Sequence, residues 1–485
     1  MSDKLRAYQE EGIRNIFKRW KTGKRSILFQ MPTGTGKTVL FSEIVKKGYD
    51  KGRKILIVVH RKELVEQIKA KLLGKGIEAG IIMAGEQPDS RKIVQLASIQ
   101  TLSRREHPEA NLIIIDESHH AKAATYKKLW EIYPEAKFLG VTATPIRLNG
   151  DGFADLFDDL IVTMSVQEFI NQGYLVPITH FVGANPDLSK VKQRQGDYET
   201  KMLSNVMMDN SVMSDLIDSY KEKCNGKSVI VFAVDVEHSK EIAGRYNAEG
   251  ISAAHIDAKT PVAERKKVLD DFRNKIIKVV SNVEIITEGF DFPECEVVQL
   301  ARPTKSLSLY LQMVGRVMRT AFNKKEGIVL DNASLWLEHG ISTVDRVWDL
   351  KGFEKKKKKK FSGVTVVAED SDGVLRQVDR NRLPEIKGLK LMALTAELER
   401  LLVFEGLLSY TKSRSFNLLK AYNDYLAYLE KREIKLTDVE FEYVQKRLNY
   451  FNNRMPEDKR FKKGYWYHQS QQLGLKKPKW ESVSS

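Results

Sequence analysis

Residues 30–38 (Gln-Met-Pro-Thr-Gly-Thr-Gly-Lys-Thr) are the part of this chain that most restricts its fold. They follow a short apolar run and precede residues 39–45, whose apolar positions are spaced as in a helix. In such a strand–turn–helix unit, the glycines let backbone N–H groups close around phosphate oxygens. Lys37 can then reach the outer phosphates, and the Thr38 hydroxyl is placed for Mg²⁺. The segment predicts a nucleoside triphosphate site with ATP as the expected ligand, although the strict pattern has glycine in place of Met31.

A second apolar run, residues 111–115, ends in the acidic pair Asp116 and Glu117. Carboxylates at the carboxyl end of a buried parallel strand face the ligand crevice. Asp116 would hold Mg²⁺ through its hydration shell, and Glu117 would orient and deprotonate the attacking water. The alternative is a pair of solvated acids in a loop. The phosphate loop upstream favours the hydrolytic interpretation.

The strand and helix pattern repeats further along the chain. Strand-like runs lie at 228–233, 252–256, 277–281 and 297–300, with helical patterns at 236–248, 261–273 and 306–317. This alternation predicts a second parallel sheet covered by helices on both faces. In the last helical pattern, Arg316 and Arg319 are three residues apart, which would place both on one face, directed at the γ-phosphate as arginine fingers supplied in cis. A solvated helix face is the alternative for such a pair.

Taken in order, these motifs resemble those of superfamily 2 helicases of the DEAD/DEAH-like group. In the first half of the chain, the matching segments are 8–9 (Q motif), 59–64 (motif Ia), 98–101 (a further strand-contacting motif), 116–120 (motif II) and 142–145 (motif III). In the second half, they are 286–293 (motif V) and 312–319 (motif VI). The resemblance covers roughly residues 4–333. It implies two RecA-like, doubly wound parallel-sheet α/β domains in tandem, followed here by a mainly helical accessory region. It also implies ATP hydrolysis coupled to movement on nucleic acid.

The resemblance assigns roles to individual residues. The catalytic set is Lys37, Asp116, Glu117, Gln312, Arg316 and Arg319, with Thr38 and Asp116 serving Mg²⁺. The ATP-binding set is Tyr8, Gln9, Thr33, Gly34, Thr35, Gly36, Lys37, Thr38, Gly289 and Asp291. Nucleic-acid contacts are expected from His60, Arg61, Gln100, Thr101 and Thr287. Coupling between hydrolysis and movement is expected from His119, Thr142 and Thr144.

Within the superfamily, residues 170–177 and 300–304 are most similar to RadD-type bacterial DNA-repair helicases. Related phage and type III restriction-like motors are the next most similar. RadD-type proteins usually carry a cysteine cluster after the motor, whereas this chain has only Cys224 and Cys295. A structural zinc site needs about four ligands, so no zinc is expected. Two cysteines also predict a reducing compartment and no disulfide framework.

The net charge of +16 predicts a polyanionic partner. The expected partner is single-stranded, forked or branched DNA, in repair, replication or recombination, together with a repair or replication protein. The chain has no apolar stretch of about 18 residues or more, and its first residues do not resemble a signal peptide. We therefore expect no membrane association and a cytoplasmic location, bacterial or phage-encoded.

The predicted organisation has five parts. These are a first RecA-like domain at 1–163, a bridging segment at 164–215, a second RecA-like domain at 216–345, a basic linker at 346–384 and an accessory region at 385–485. The linker holds six consecutive lysines, 355–360, and a candidate β-hairpin over 361–383 that turns at Asp372-Gly373. A helical pattern extends over 395–452.

Basic and aromatic residues are interleaved near the C-terminus, where residues 446–480 contain ten lysines and arginines. Lys462 and Lys463 would neutralise phosphates, and Trp466 would stack on bases of a single strand. Alternatively, these aromatic residues form a small core and the lysines are solvated. The sequence leaves both interpretations open.

Two other functions compete with a DNA helicase or translocase. One is an ATP-dependent RNA helicase. The other is a nucleic-acid-gated ATPase that acts as a switch or scaffold in a repair or defence complex without unwinding.

Overall fold

The structure is a computed structural model that divides the chain into two compact units, Met1–Ser362 and Gly363–Ser485. In the first unit it describes residues 5–60, 62–118, 123–147, 150–183, 186–194, 196–286, 292–344 and 346–352. In the second it describes residues 366–369, 375–377, 390–393, 404, 418–430 and 437–453.

The first α/β lobe is built on a parallel sheet. Its described strands are β1 (Ser26–Gln30), β2 (Ile55–Val59), β3 (Gly80–Ile82), β4 (Val94–Ser98), β5 (Leu112–Asp116), β6 (Lys137–Thr142) and β7 (Asp159–Val162), in the order β3-β4-β2-β5-β6-β1-β7. The accompanying helices are α1 (Ala7–Lys21), α2 (Lys37–Tyr49), α3 (Lys62–Leu73), α4 (Ile99–Leu102) and α5 (Ala123–Ile132). Every residue of β1, β2, β4 and β5 is buried, as expected for a sheet covered on both faces.

The second lobe contains another parallel sheet. Its strands are β8 (Ile178–Val182), β11 (Val229–Phe232), β12 (Ala253–Ile256), β13 (Val279–Asn282), β14 (Val297–Leu300) and β15 (Gly327–Asp331), in the order β12-β13-β11-β14-β15-β8 within the first unit. Its helices and connections include α6 (Val166–Asn171), the short antiparallel pair β9 (Gln193–Arg194) and β10 (Asp197–Tyr198), α7 (Thr200–Met207), α8 (Asn210–Cys224), α9 (Val236–Ala248), α10 (Val262–Arg273), α11 (Leu307–Gly315) and α12 (Leu335–His339). The predicted fold of two tandem RecA-like lobes is therefore confirmed.

Two local features differ from the sequence interpretation. Residues 178–182, placed in the bridging segment, form strand β8, which pairs with β15 at one side of the second sheet. The helical pattern predicted for 306–317 ends at Gly315, so the predicted helix was too long. The proposed domain boundaries themselves stay predictions.

The chain leaves the second lobe and returns to the first. The carbonyl of Leu350 accepts hydrogen bonds from the backbone N–H groups of Phe153 at 2.7 Å and Ala154 at 2.9 Å. A Cβ added at Gly152 would lie 1.9 Å from the Leu350 oxygen, so only glycine permits this approach. Residues 346–352, which we call the return strap, therefore form a second connection between the lobes, in addition to residues 163–177.

In the second unit, β16 (Val366–Glu369) and β17 (Leu375–Gln377) are antiparallel, with Ala368 opposite Arg376. The predicted hairpin is confirmed, while its predicted turn at Asp372-Gly373 lies outside the described residues. Strand β18 (Lys390–Ala393) pairs antiparallel with β16. Helices α13 (Leu418–Glu430) and α14 (Asp438–Asn453) lie largely within the predicted helical region.

No helix in the described part of the chain combines the length and apolar character needed to cross a membrane.

Candidate active site

The phosphate loop lies between β1 and α2, and its shape depends on two glycines. Gly34 and Gly36 adopt left-handed φ angles of 87° and 91°. A Cβ at Gly36 would lie 2.7 Å from Nε2 of Gln9, so a larger residue would also collide with the neighbouring helix α1. The Thr35 hydroxyl donates to the carbonyl of Pro32 at 2.6 Å and closes the turn. The loop can therefore present its N–H groups to phosphate oxygens.

Two residues of α1, Tyr8 and Gln9, form hydrogen bonds to the backbone of this loop. The Tyr8 hydroxyl donates to the carbonyl of Thr35 at 2.6 Å, and Gln9 Nε2 lies 3.3 Å from the carbonyls of Thr35 and Gly36. Gln9 Oε1 accepts from the backbone N–H of Arg6 at 3.0 Å. Burial raises the pKa of the Tyr8 hydroxyl, which keeps it a donor. The Q-motif pair thus contacts the phosphate loop directly.

The acidic pair ends β5 beside the loop. Asp116 is 4% exposed, and its Oδ1 accepts the backbone N–H of Glu117 at 3.0 Å. Glu117 Oε1 lies 3.4 Å from Nζ of Lys37, and both side chains are largely buried. Glu117 has a φ of 47°, an uncommon conformation for a residue with a side chain. The structure therefore brings Lys37, Asp116 and Glu117 into one cluster.

The donor set fits ATP with Mg²⁺. Thr38 lies in the first turn of α2, and both Thr38 and Asp116 line the same cleft as Lys37. A hydroxyl and a carboxylate are the oxygen ligands that Mg²⁺ prefers, with phosphate oxygens completing its shell. The cleft has a volume of about 680 Å³, within the range of roughly 300–1,000 Å³ typical of ligand pockets.

The second lobe contributes the opposite wall. A Cβ at Gly315, the last residue of α11, would lie 2.4 Å from Cγ2 of Thr33, so the end of this helix packs directly on the phosphate loop. Gln312 and Arg316 are 3% and 7% exposed. Arg316 and Arg319 both line the cleft. Residues from two different sheets therefore face one nucleotide-sized space.

The predicted helical arrangement of the two arginines is wrong. Helix α11 ends at Gly315, with Arg316 as its C-cap, and Arg319 forms an isolated antiparallel bridge with Leu175. The backbone N–H of Val176 donates to the carbonyl of Met318 at 2.9 Å. Arg319 is thus held by the segment between the lobes, because a tertiary strand contact replaces the last helical turn.

Sequence reasoning missed several residues that line the cleft: Arg6, Leu64, Gln67, Ala70, Lys71, Pro293 and Thr320. Leu64, Gln67 and Lys71 share one face of α3, a spacing that the sequence already displays. Lys324 also lies nearby, and its Nζ donates to the carbonyl of Pro293 at 2.9 Å. Burial lowers the pKa of Lys324 to about 8.

The coupling candidates Thr142 and Thr144 are fully buried at the end of β6. The Thr142 hydroxyl accepts the N–H of Thr144 at 3.1 Å, and the carbonyl of Thr142 accepts the N–H of Met31 at 3.0 Å. Gln30 Nε2 donates to the carbonyl of Ala143 at 3.1 Å. The motif III segment is therefore hydrogen-bonded to the start of the phosphate loop.

The candidate nucleic-acid residues of the first lobe lie at the carboxyl ends of β2 and β4. Gln100 Nε2 donates to the carbonyl of His60 at 3.1 Å, and Gln100 Oε1 accepts from the Ser98 hydroxyl at 2.7 Å. Thr101 follows in α4. The remaining predicted site residues lie outside the described residues: Arg61, His119, Thr287, Gly289, Asp291, Lys462, Lys463 and Trp466.

Two family models match the chain. Residues 2–147 match the family described as type III restriction enzyme, res subunit, and residues 210–321 match the helicase conserved C-terminal domain. A 51.5 kDa protein of a Lactococcus phage is 38% identical over 324 residues, which are 66% of this chain and 68% of that protein.

More distant relatives carry functional names. A Saccharomyces cerevisiae protein named as an ATP-dependent helicase, IRC3, is 32% identical over 67% of this chain and 51% of its own length, so the match spans about half of it. The DNA 3'-5' translocase XPB2 of Sulfurisphaera tokodaii is 25% identical over 67% of this chain and 81% of that protein. A solved fragment assigned to the HsdR subunit of a type I restriction enzyme from Vibrio vulnificus YJ016 shares the fold, with a TM-score of 0.56 and 23% identity over 71% of this chain and 68% of that one.

Proposed function

This chain belongs to superfamily 2 of the helicases, whose members are ATP-hydrolysing motors, and we propose that it moves along DNA. The observation that carries the proposal is the composition of the cleft. Lys37, Asp116 and Glu117 come from the first lobe, and Arg316 and Arg319 come from the second. Such a site is complete only when both lobes are in position, which is how hydrolysis can drive a movement between them.

The ion pair between Lys37 and Glu117 suggests the first step. The phosphates of ATP compete for the Lys37 ammonium, which releases the Glu117 carboxylate. Glu117 then accepts a proton from the water that attacks the γ-phosphorus. Thr38 and Asp116 would hold Mg²⁺, which would neutralise part of the phosphate charge.

Arg316 and Arg319 stabilise the negative charge that develops on the transferred phosphoryl group. Gly315, the residue before Arg316, packs on Thr33, and Arg319 is bridged to Leu175. The positions of both arginines at the cleft therefore depend on the position of the second lobe. ATP therefore binds the closed arrangement more tightly, and hydrolysis with phosphate release favours opening. Alternating closure moves two nucleic-acid-binding lobes relative to each other, a stepping mechanism. Thr142 and Thr144 would transmit this change within the first lobe.

DNA is the proposed nucleic-acid substrate for two reasons. The Sulfurisphaera tokodaii relative, which is matched over 81% of its own length, is named a DNA translocase. The net charge of +16 also favours a polyanion as the partner. His60, Gln100 and Thr101 of the first lobe would contact the backbone, and the motif V residue Thr287 would contribute from the second. Repair, replication or recombination of branched or single-stranded DNA is the proposed setting, as in the RadD-type proteins that the sequence resembles.

The deciding experiment measures ATPase rate against single-stranded, forked, branched and duplex DNA and against RNA. We expect the largest stimulation with DNA. Stronger stimulation by RNA would replace the proposal with an RNA helicase.

Strand-displacement and triplex-displacement assays then separate the remaining alternatives. Displacement of a paired strand identifies a helicase, and displacement of a triplex strand alone identifies a duplex translocase. DNA-stimulated hydrolysis with neither activity would contradict movement and favour an ATP-gated switch or scaffold.

A further inference from the structure

The short β9–β10 pair forms a basic hairpin, residues 190–194 and 196–198, on the second lobe. Its three basic side chains, Lys190, Lys192 and Arg194, are exposed. The adjoining carboxylates instead face backbone N–H groups: Asp187 accepts from Ser189 at 2.9 Å, and Glu199 accepts from Lys201 at 3.2 Å and from Met202 at 2.8 Å. The positive charges are therefore presented to solvent while the nearby negative charges serve turns and a helix cap.

One aspartate fastens the hairpin to the carboxyl edge of the second sheet. Asp197 Oδ2 accepts from the Thr304 hydroxyl at 2.6 Å, and Oδ1 accepts from the backbone N–H of Lys305 at 2.7 Å. The Lys305 ammonium lies 5.1 Å from the ring centroid of Tyr198, the neighbouring hairpin residue. Thr304 and Lys305 lie in the loop between β14 and α11, at the edge from which ligand-binding loops project.

The same attachment leads to the ATP cleft. Thr304 Oγ1 accepts the N–H of Ser306 at 3.0 Å, and the Ser306 side chain caps α11 by accepting the N–H of Leu309 at 3.2 Å. The other end of α11 packs Gly315 on the phosphate loop and places Arg316 in the cleft. One rigid helix thus connects the base of the hairpin to the nucleotide site.

We propose that the basic hairpin binds the phosphate backbone of a DNA strand and that Asp197 transmits this contact through α11 to Arg316. The inference rests on the proposed function, because it assumes DNA-stimulated hydrolysis. It adds a contact surface outside the helicase motifs and a route by which DNA binding can change the ATP site. The competing view is that the three side chains only keep the surface solvated.

The test replaces Lys190, Lys192 and Arg194 together by glutamine. The matched control replaces three exposed lysines by glutamine: Lys18, Lys21 and Lys51. They lie before β1 and β2, at the amino ends of the strands of the first sheet, whereas the ATP cleft lies at the carboxyl ends. Both variants lose the same charge. Binding of an oligothymidylate is titrated against salt, and ATPase is measured with and without it.

We expect the hairpin variant to bind the oligonucleotide more weakly and to lose about 2 in the slope of log affinity against log salt, since each single-strand phosphate contact contributes roughly 0.7. The control should keep the wild-type slope, and both variants should keep the basal ATPase rate. Equal slopes for hairpin and control variants, with normal stimulation of the wild type, would overturn the hairpin proposal alone. If no nucleic acid stimulated the ATPase of the wild-type protein, the proposed function would be overturned instead. The salt dependence of oligonucleotide binding would still test whether the hairpin contacts phosphates.

Asp197→Ala separates binding from transmission because it keeps all three basic side chains. We expect near wild-type oligonucleotide affinity with a reduced maximal stimulation of ATPase. Circular dichroism and the basal ATPase rate establish that the variant is folded. Full stimulation in this variant would refute the route through α11.

Discussion

The two lobes build their halves of the ATP site differently. In the first lobe, Lys37 is the first residue of α2, and Asp116 and Thr142 are the last residues of β5 and β6, two strands that are buried except at Lys137. In the second lobe, Arg316 follows the end of α11, and Arg319 is held by a bridge to Leu175. The first half is therefore fixed by local structure, whereas the second depends on contacts made across the molecule. A small movement of one lobe relative to the other should therefore reduce the rate of hydrolysis more than the affinity for phosphate.

The largest expected effect tests the locally fixed half. Glu117→Gln removes the proton acceptor, and general-base catalysis contributes about 10²–10⁴-fold, so turnover should fall by up to roughly 10⁴-fold. Nucleotide should stay bound, because Lys37 and the loop are intact. Lys37→Ala should instead weaken ATP binding. Steady-state ATPase and a fluorescent-nucleotide titration measure the two effects, and normal turnover in Glu117→Gln would refute its assignment.

Arg316→Ala tests the half that depends on lobe position. An arginine finger contributes on the order of 10³-fold or more to the rate, so turnover should fall by about that factor with nearly unchanged ATP affinity. Arg319→Ala should also slow hydrolysis. Thermal unfolding serves as the control for folding of the second lobe. If both variants kept full DNA-stimulated turnover, a site completed by the second lobe would be ruled out.

Gly315→Ala sharpens the comparison, because it changes only the contact between the halves. The new Cβ would lie 2.4 Å from Thr33 Cγ2, so α11 or the phosphate loop must shift. A displacement of about 1 Å can cost on the order of 10²-fold in rate. Gly244→Ala is the matched control, since a Cβ on this α9 glycine meets nothing within 4 Å. Equal ATPase rates for the two alanine variants would show that the contact is not needed for catalysis.

A last prediction concerns the stability of the second lobe rather than the rate of hydrolysis. Burial lowers the pKa of His238 to about 4, against the opposing attraction of Asp235 and Glu241. The unfolded chain, with a histidine pKa of 6.5, binds this proton first as pH falls. The free energy of unfolding should therefore decrease from about pH 6.5 to about 4, by about 3 kcal/mol in total.

Urea unfolding followed across that pH range measures this loss. His238→Gln, which retains an acceptor for the N–H of Val234, should flatten the dependence. An unchanged pH profile in this variant would assign the acid sensitivity to other groups.

The sequence predicted the locally determined parts of the molecule well. Strands β1, β5 and β11–β14 follow from apolar runs, helix α2 after the phosphate loop follows from its helical period, and the hairpin of the second unit follows from alternation. The sequence did not predict β8 or the true end of α11, because each depends on a distant partner: β15 for the strand, and Leu175 for the residues after the helix. The cleft residues Gln67 and Lys71 carry no motif, and their role becomes visible only when α3 is placed.

Roles of individual site residues stay predictions, as do the RadD-type resemblance and the DNA contacts of the C-terminal lysines and Trp466. Functional assays test these predictions, because an amino-acid pattern shows which chemical groups are present and the ligand that they bind is identified by experiment.

The return strap has a mechanical consequence. Two rigid bodies joined by one flexible segment can swing, twist and slide, whereas a second attachment leaves mainly rotation about the line between the attachments, as in a door hung on two hinges. Residues 163–177 form one attachment, and the Leu350 carbonyl with Phe153 and Ala154 forms the other. Opening and closing should then follow the same rotation in every cycle, so that the two lobes return to the same relative position each time the cleft closes.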